Sequence, residues 1–155
     1  YRGIDWHRHW SRNWRGPVIV FKPADLAAIE SQAQAAAPNE ACGLLEGISG
    51  RGMFAVTAVH PSENVASDKA DRFEVDPRLL LRLQKELRDG PTGVIGIYHS
   101  HPRGRPEPSD SDLAMAWQPE LVWVITALEP QPESAAFVLV GGAFEKIELS
   151  DSVPV

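Results

Sequence analysis

A chain of 155 residues, 43% of them apolar and with no low-complexity tract or internal repeat, is sized for one compact domain around a single core. Its formal net charge of −6 argues against nucleic acid or an acidic membrane surface as the principal partner. The single cysteine, Cys42, excludes an intrachain disulfide and any multi-cysteine zinc site, and is read as a small buried hydrophobe. The longest apolar run, residues 121–128, is too short to cross a bilayer, and the first residues lack the apolar stretch of a secretory signal. The cytoplasm is therefore the expected location.

Residues 1–16 set Trp6, Trp10 and Trp14 among Arg2, Arg8, Arg12 and Arg15, against one acid, Asp5. The four-residue spacing suits one face of a short helix. This extension reads either as a docking arm for an acidic or apolar partner or as a segment folded against its own domain; the second is preferred. His7 and His9 are a His-x-His pair but are not read as a site. The main domain is expected over residues 17–150, with 151–155 as a tail.

Residues 18–21 predict a strand, and Pro23 opens a helix with an apolar stripe of Leu26, Ile29, Ala33 and Ala36 that Pro38 ends. Glu40 then enters a strand over residues 41–48, followed by a Gly50-Arg51-Gly52 turn and a strand over 53–59, a hairpin. On its own Glu40 reads as a solvated residue at a helix–strand junction, and His60 as structural or surface. Residues 61–76 are polar and irregular, with Asn64, Ser67 and Asp68 favouring turns and residues 73–75 expected as a short edge strand. Such an edge can accept an extended peptide by strand addition. Asp76 caps the next helix, Pro77 takes its first position and Gly90 closes it. Leu80, Leu83 and Leu87 form its expected buried stripe, widened by Leu79 and Leu81.

Residues 93–98 are a short apolar run with β-branched and aromatic members, hence a strand. Alternation along it puts Ile95, Ile97, His99 and His101 on one face, the two imidazoles roughly 7 Å apart at the backbone. Pro102 stops the strand, and after a loop over 103–108 a helix is expected to begin at Ser109. Asp112, in its first turn, can point back at the strand end. Two imidazoles and one carboxylate make a three-ligand zinc set with a fourth position left for water, the composition of a catalytic rather than a structural site. The same Ser109-x-x-Asp112 spacing, ahead of Leu113, Met115 and Trp117, is also a capping box, so Ser109 is read as able to serve both ends. A strand over 121–127 and a hairpin of 135–140 with 144–149 about Gly141-Gly142-Ala143 complete the chain.

His99-x-His101-Pro102 followed by Ser109-x-x-Asp112 resembles the JAMM motif of the JAB/MPN/Mov34 metalloproteases. The upstream glutamate of that family is matched by Glu40, in Glu40-x-x-Gly43-x-x-x-Gly47. The resemblance implies an α/β fold, more closely α+β, in which a curved mixed sheet carries helices on both sides, as in cytidine deaminases. It also implies a Zn2+ enzyme with His99, His101 and Asp112 as ligands. Glu40 becomes the general base and Ser109 the oxyanion donor. The implied substrate is an amide or isopeptide bond after the Gly-Gly tail of a ubiquitin-like or sulfur-carrier protein, with Asn64 and Phe73-x-x-Asp76-Pro77 in the segment that holds the tail. The short loop over 129–133, and the absence of His or Cys after His101, point to a minimal prokaryotic type without a second zinc site. One alternative within the enzyme class is a hydrolase processing a sulfur carrier in sulfur transfer or in cofactor or amino-acid biosynthesis. A non-catalytic MPN scaffold is disfavoured because no motif residue is missing. A zinc nucleobase deaminase is excluded by the lone cysteine.

Overall fold

The computed structural model describes residues 16–116 and 118–151. The Trp/Arg-rich extension with His7 and His9, Trp117 and most of the tail lie outside the described residues. Among the described residues, seven strands and three helices follow one another: β1 (Val18–Val20), α1 (Pro23–Ala36), β2 (Cys42–Gly50), β3 (Met53–Ser62), α2 (Pro77–Leu87), β4 (Gly93–His101), α3 (Asp110–Met115), β5 (Val122–Ala127), β6 (Glu133–Val140) and β7 (Ala143–Ser150). The sheet is curved far enough to close, in the order β1-β3-β2-β4-β5-β6-β7. Parallel pairs join β4 to β5 and the three-residue β1 to both β3 and β7; the remaining pairs are antiparallel. The expected mixed α/β architecture is what forms, carried to full closure by β1.

Helices cover both faces, as expected. On one face Leu26 and Ile29 of α1 pack with Ile19, Phe54, Tyr98, Val122 and Val124; on the other, Leu79 and Leu83 of α2 meet Leu44, Val94 and Ile97. A third cluster, of Cys42, Phe73, Trp123, Ile125 and Phe137 with Met115 from α3, adjoins the motif. Every residue of β5 is buried, because it is covered on both faces. Pro23 begins α1, which the chain leaves before Pro38, and Asp76 accepts a hydrogen bond from the Arg78 amide to cap α2. The hairpin between β6 and β7 turns on Gly141 and Gly142, both at positive φ (58° and 81°), the backbone that glycine adopts without steric cost.

Four local expectations are corrected. Ile95 does not share a face with Ile97: β2 pairs Leu45 with Gly96 and Glu46 with Val94, so Ile95 is the extra residue of a bulge and turns toward Tyr98 and Leu45. Strand β3 runs on through Pro61, because β1 covers only residues 53–55 and the far half of β3 is an edge, paired on the β2 side alone, the setting in which a sheet tolerates proline. Residues 73–75 form no strand, only a single bridge between Asn64 and Val75. In α2 the buried pair is Leu79 and Leu83; Leu80 and Leu87 are half-buried and Leu81 stays 66% exposed.

Candidate metal centre

The bulge decides which way the motif faces. Beyond it, β4 alternates regularly, so Tyr98 enters the α1-side core while Ile97, His99 and His101 lie on the face shared with α2 and α3. His99 is fully buried: its ring stacks on Phe73 (centroids 4.1 Å apart, 14° between planes) and takes the edge of Trp123 at 5.6 Å. His101 is held by its Nδ1–H, which donates to the Arg105 carbonyl at 2.9 Å. A carbonyl only accepts, so Nδ1 carries a proton, and Nε2 is the ring atom turned to the interior that can serve as a ligand.

Helix α3 supplies the carboxylate. Ser109 and Asp112 form a complete capping box: Ser109 Oγ accepts the Asp112 amide at 3.1 Å, and Asp112 Oδ2 accepts the Ser109 amide at 2.9 Å. That same Oδ2 lies 3.1 Å from His99 Nε2 and 3.2 Å from His101 Nε2, which are themselves 3.0 Å apart. Four ligands around an ion at about 2.0 Å stand about 3.3 Å from each other in a tetrahedral arrangement, and these three atoms match it. The fit is chemical as well. Two imidazole nitrogens and a carboxylate oxygen converge in a buried site, where the crowded atoms need positive charge among them, as shared protons or as a bound cation.

Glu40, 4% exposed at the end of the α1–β2 connection, stands just outside that triangle, with Oε1 3.7 Å from His101 Nε2. Donor atoms of Glu40, His99 and His101 all lie within 4.8 Å of one another, and Glu40 Oε2 has no hydrogen-bond partner among the described residues. Burial raises the Glu40 carboxyl to about 7, against the lowering effect of His101 and with Asp112, Asp71 and Asp68 adding to the rise. Burial would raise Asp112 also, but hydrogen bonds with His101 and His99 hold it well below the usual carboxylate range. Burial keeps His99 below the ordinary imidazole value, whereas for His101 the bonds to Asp112 and Arg105 and the nearby carboxylates outweigh burial and raise it.

Sequence reasoning gathers four of its five site residues into one cluster: His99, His101, Asp112 and Glu40. Ser109 is exposed, and its hydroxyl oxygen is engaged with the Asp112 amide. What sequence reasoning missed is Ser100, between the two histidines. Its Oγ accepts the Ala41 amide at 2.7 Å while its own amide donates to the Ala41 carbonyl at 3.0 Å, fastening the residue after Glu40 to the metal strand. The glycines of the upstream motif have steric reasons. A Cβ on Gly43 would collide with the Tyr98 hydroxyl and the His60 carbonyl, and one on Gly47 with the Ala55 carbonyl. The space at Gly43 lets the Tyr98 hydroxyl reach Gln32 Oε1, while Gln32 Nε2 donates to the Cys42 carbonyl. Cys42 is buried, as expected, and burial raises its thiol to about 12, so it is no nucleophile.

A family model described as prokaryotic homologs of the JAB domain matches residues 23–140. The chain belongs to that family. Among curated proteins this JAB-domain chain is similar to the desampylase of Haloferax volcanii, 32% identical over 73% of this chain and 78% of the relative. It is similar also to the CysO-cysteine peptidase of Mycobacterium tuberculosis, 25% identical over 81% and 86%. A third relative is the probable TtuB-protein conjugate cleaving protease of Thermus thermophilus, 32% identical over 67% and 71%. Among solved structures, a protein from Desulfitobacterium hafniense superposes with a TM-score of 0.75 at 30% identity, covering 85% of this chain and 90% of that one.

Proposed function

We propose that this JAB-domain protein is a zinc-dependent peptidase that hydrolyses the amide or isopeptide bond after the Gly-Gly tail of a ubiquitin-like protein. The observation that carries the reading is the convergence of His99 Nε2, His101 Nε2 and Asp112 Oδ2 within 3.0–3.2 Å of one another, with the buried Glu40 carboxylate beside them. The names of the relatives supply the substrate class: a desampylase, a CysO-cysteine peptidase and a TtuB-conjugate protease. His99, His101 and Asp112 are assigned as ligands. When bound there, a divalent zinc supplies Lewis acidity, polarising the scissile carbonyl and bringing the pKa of water from about 15.7 toward about 7.

The remaining work falls to side chains of the chain. Glu40 takes the proton of the attacking water and hands it to the leaving amine, and burial, which raises its carboxyl above the ordinary range, suits it to both transfers. Ser109, whose oxygen accepts from the Asp112 amide, has its hydroxyl proton left to donate to the carbonyl oxygen as negative charge develops. Phe73 and Trp123 wall His99 from solvent and fix the plane of its ring.

The CysO-cysteine relative keeps a second reading open, release of a product from a sulfur carrier, and the same residues serve it because the bond cleaved is again an amide. A complete donor set argues against a scaffold role. No helix among the described residues is long and apolar enough to cross a membrane, and a cytoplasmic address for the reduced Cys42 chain is part of the proposal. The test is incubation with ubiquitin-like proteins extended beyond Gly-Gly, with and without chelator, read by mass spectrometry of the released fragment. Cleavage that persists in chelator, or that is equal in Glu40→Gln, would refute it.

A further inference from the structure

The segment between β3 and α2 carries one side chain with every hydrogen-bonding position used. Asn64 Nδ2 donates to the carbonyls of Glu40 and Arg72, both at 3.0 Å; its Oδ1 accepts the amides of Ala66 and Glu74, both at 3.1 Å. The amide orientation is fixed by this set, because a flipped group would face two carbonyls with an oxygen and two amides with a nitrogen. Arg72 and Glu74 flank Phe73, whose ring stacks on His99. Asn64 therefore grips the backbone on both sides of the residue that covers a ligand histidine, and with the same group holds the backbone of Glu40. The Glu40 amide meets the same segment a second time, donating to the Lys69 carbonyl at 2.7 Å. Fully committed inward, the side chain has nothing left to offer a substrate tail.

We propose that Asn64 is a positioning residue that sets Glu40 in register with the Phe73–His99 stack, so that base and metal ligands keep one geometry. This rests on Glu40 being the general base. Glu40 projects from the exit of a loop, where a strand ladder does not yet fix the backbone; β2 begins only at Cys42. Ser100 holds the Ala41 amide from the β4 side and Asn64 holds the Glu40 carbonyl, so the peptide unit that carries Glu40 into Ala41 is gripped at both of its polar groups. A sub-ångström drift of that carboxylate is enough to misalign proton transfer.

The test is Asn64→Asp in the full chain, loaded with zinc. The carboxylate keeps both accepting bonds, to Ala66 and Glu74, and loses both donated ones, including the bond to Glu40. The expected result is a kcat per bound zinc lower by about 10-fold to 100-fold, with KM within about twofold of wild type and metal stoichiometry unchanged. A purely structural role would lower the melting temperature and leave kcat per bound zinc unmoved, which would overturn the proposal. So would a raised KM at unchanged kcat, which would make Asn64 a substrate contact, or loss of zinc, which would make it a support for the ligands. A second readout needs no variant. In wild type, amide hydrogen exchange at Glu40, Ala66 and Glu74 should be slow and should share one opening free energy; free exchange at Ala66 and Glu74 would end the argument whatever the fate of the mutant. If wild type itself cleaves nothing while those amides are protected, the functional reading fails and the anchoring stands.

Discussion

Among the described residues there are two histidine–carboxylate groupings, and they differ in burial, in partners and in how many groups converge. Glu46 Oε1 meets His60 Nε2 at 2.9 Å and its other oxygen accepts from the Thr92 hydroxyl at 2.8 Å, on a rim where the side chains remain 18% and 26% exposed. There the carboxylate has ordinary partners, led by the His60 and Thr92 hydrogen bonds that lower its pKa. In the other grouping, three atoms from two elements crowd together in a site where His99 has no exposure at all, and all three turn on one point at 3.0–3.2 Å from each other. The first is a closed pair of ordinary hydrogen bonds; the second is a buried convergence of three potential ligand atoms on one point. Proximity of His to Asp or Glu is thus not a metal signal until tautomer and burial are read with it.

The sharpest way to break that contrast is at the ligands. His99→Ala and Asp112→Ala should each lose zinc and activity to background, measured by metal content of the purified protein and by fragment release; stoichiometric metal in either variant would contradict the ligand set. Glu40→Gln should keep its metal and lose about 10²- to 10⁴-fold in turnover. It should also stabilise the metal-free protein. Because the folded state holds the Glu40 proton up to about pH 7 whereas a free carboxyl releases it near 4.5, the stability that wild type draws from the buried neutral carboxyl is complete below about pH 4.5 and is lost as pH rises through 7. The variant should therefore melt higher than wild type at pH 8, by roughly 5 °C, with the gap closing at pH 5. Ser100→Ala leaves the Ala41 amide without its partner in a buried site and should cost about 1–3 kcal/mol in denaturant unfolding. Smallest of all, Glu46→Gln should change stability by at most about 1 kcal/mol and leave zinc and turnover untouched. Since its carboxyl is lowered in the folded state, whatever it contributes is present above its unfolded pKa and fades as acid protonates it.

How much of this was legible beforehand follows from what each residue depends on. His99, His101 and Asp112 were readable because their convergence needs only a strand end, a turn and a helix start close together in sequence. Asp112 carried its own local evidence, the capping box that aims its carboxylate. Glu40 was readable only through the family resemblance, since its approach to His101 is made by β2 pairing with β4 across more than fifty positions. Ser100 and Asn64 were opaque for a different reason: their roles lie in bonds to carbonyls and amides, and backbone partners leave no trace in residue identity. The bulge at Ile95 was equally hidden, because a two-residue alternation rule has no way to register an extra residue until the partner strand is known. Closure by β1 was unforeseen because three residues, Val18 to Val20, give no pattern long enough to imply two parallel partners.

That three-residue seam has a bearing on durability. In the ring of strands β1 lies across from β4 and β5, and it is laced to Met53, Phe54 and Ala55 on one side and to Glu148, Leu149 and Ser150 on the other, next to both ends of the described chain. The thinnest join in the cylinder is thus the farthest from the reacting centre. A local opening of that short seam would leave the pairing of β4 with β2 and β5, which carries the histidines, intact.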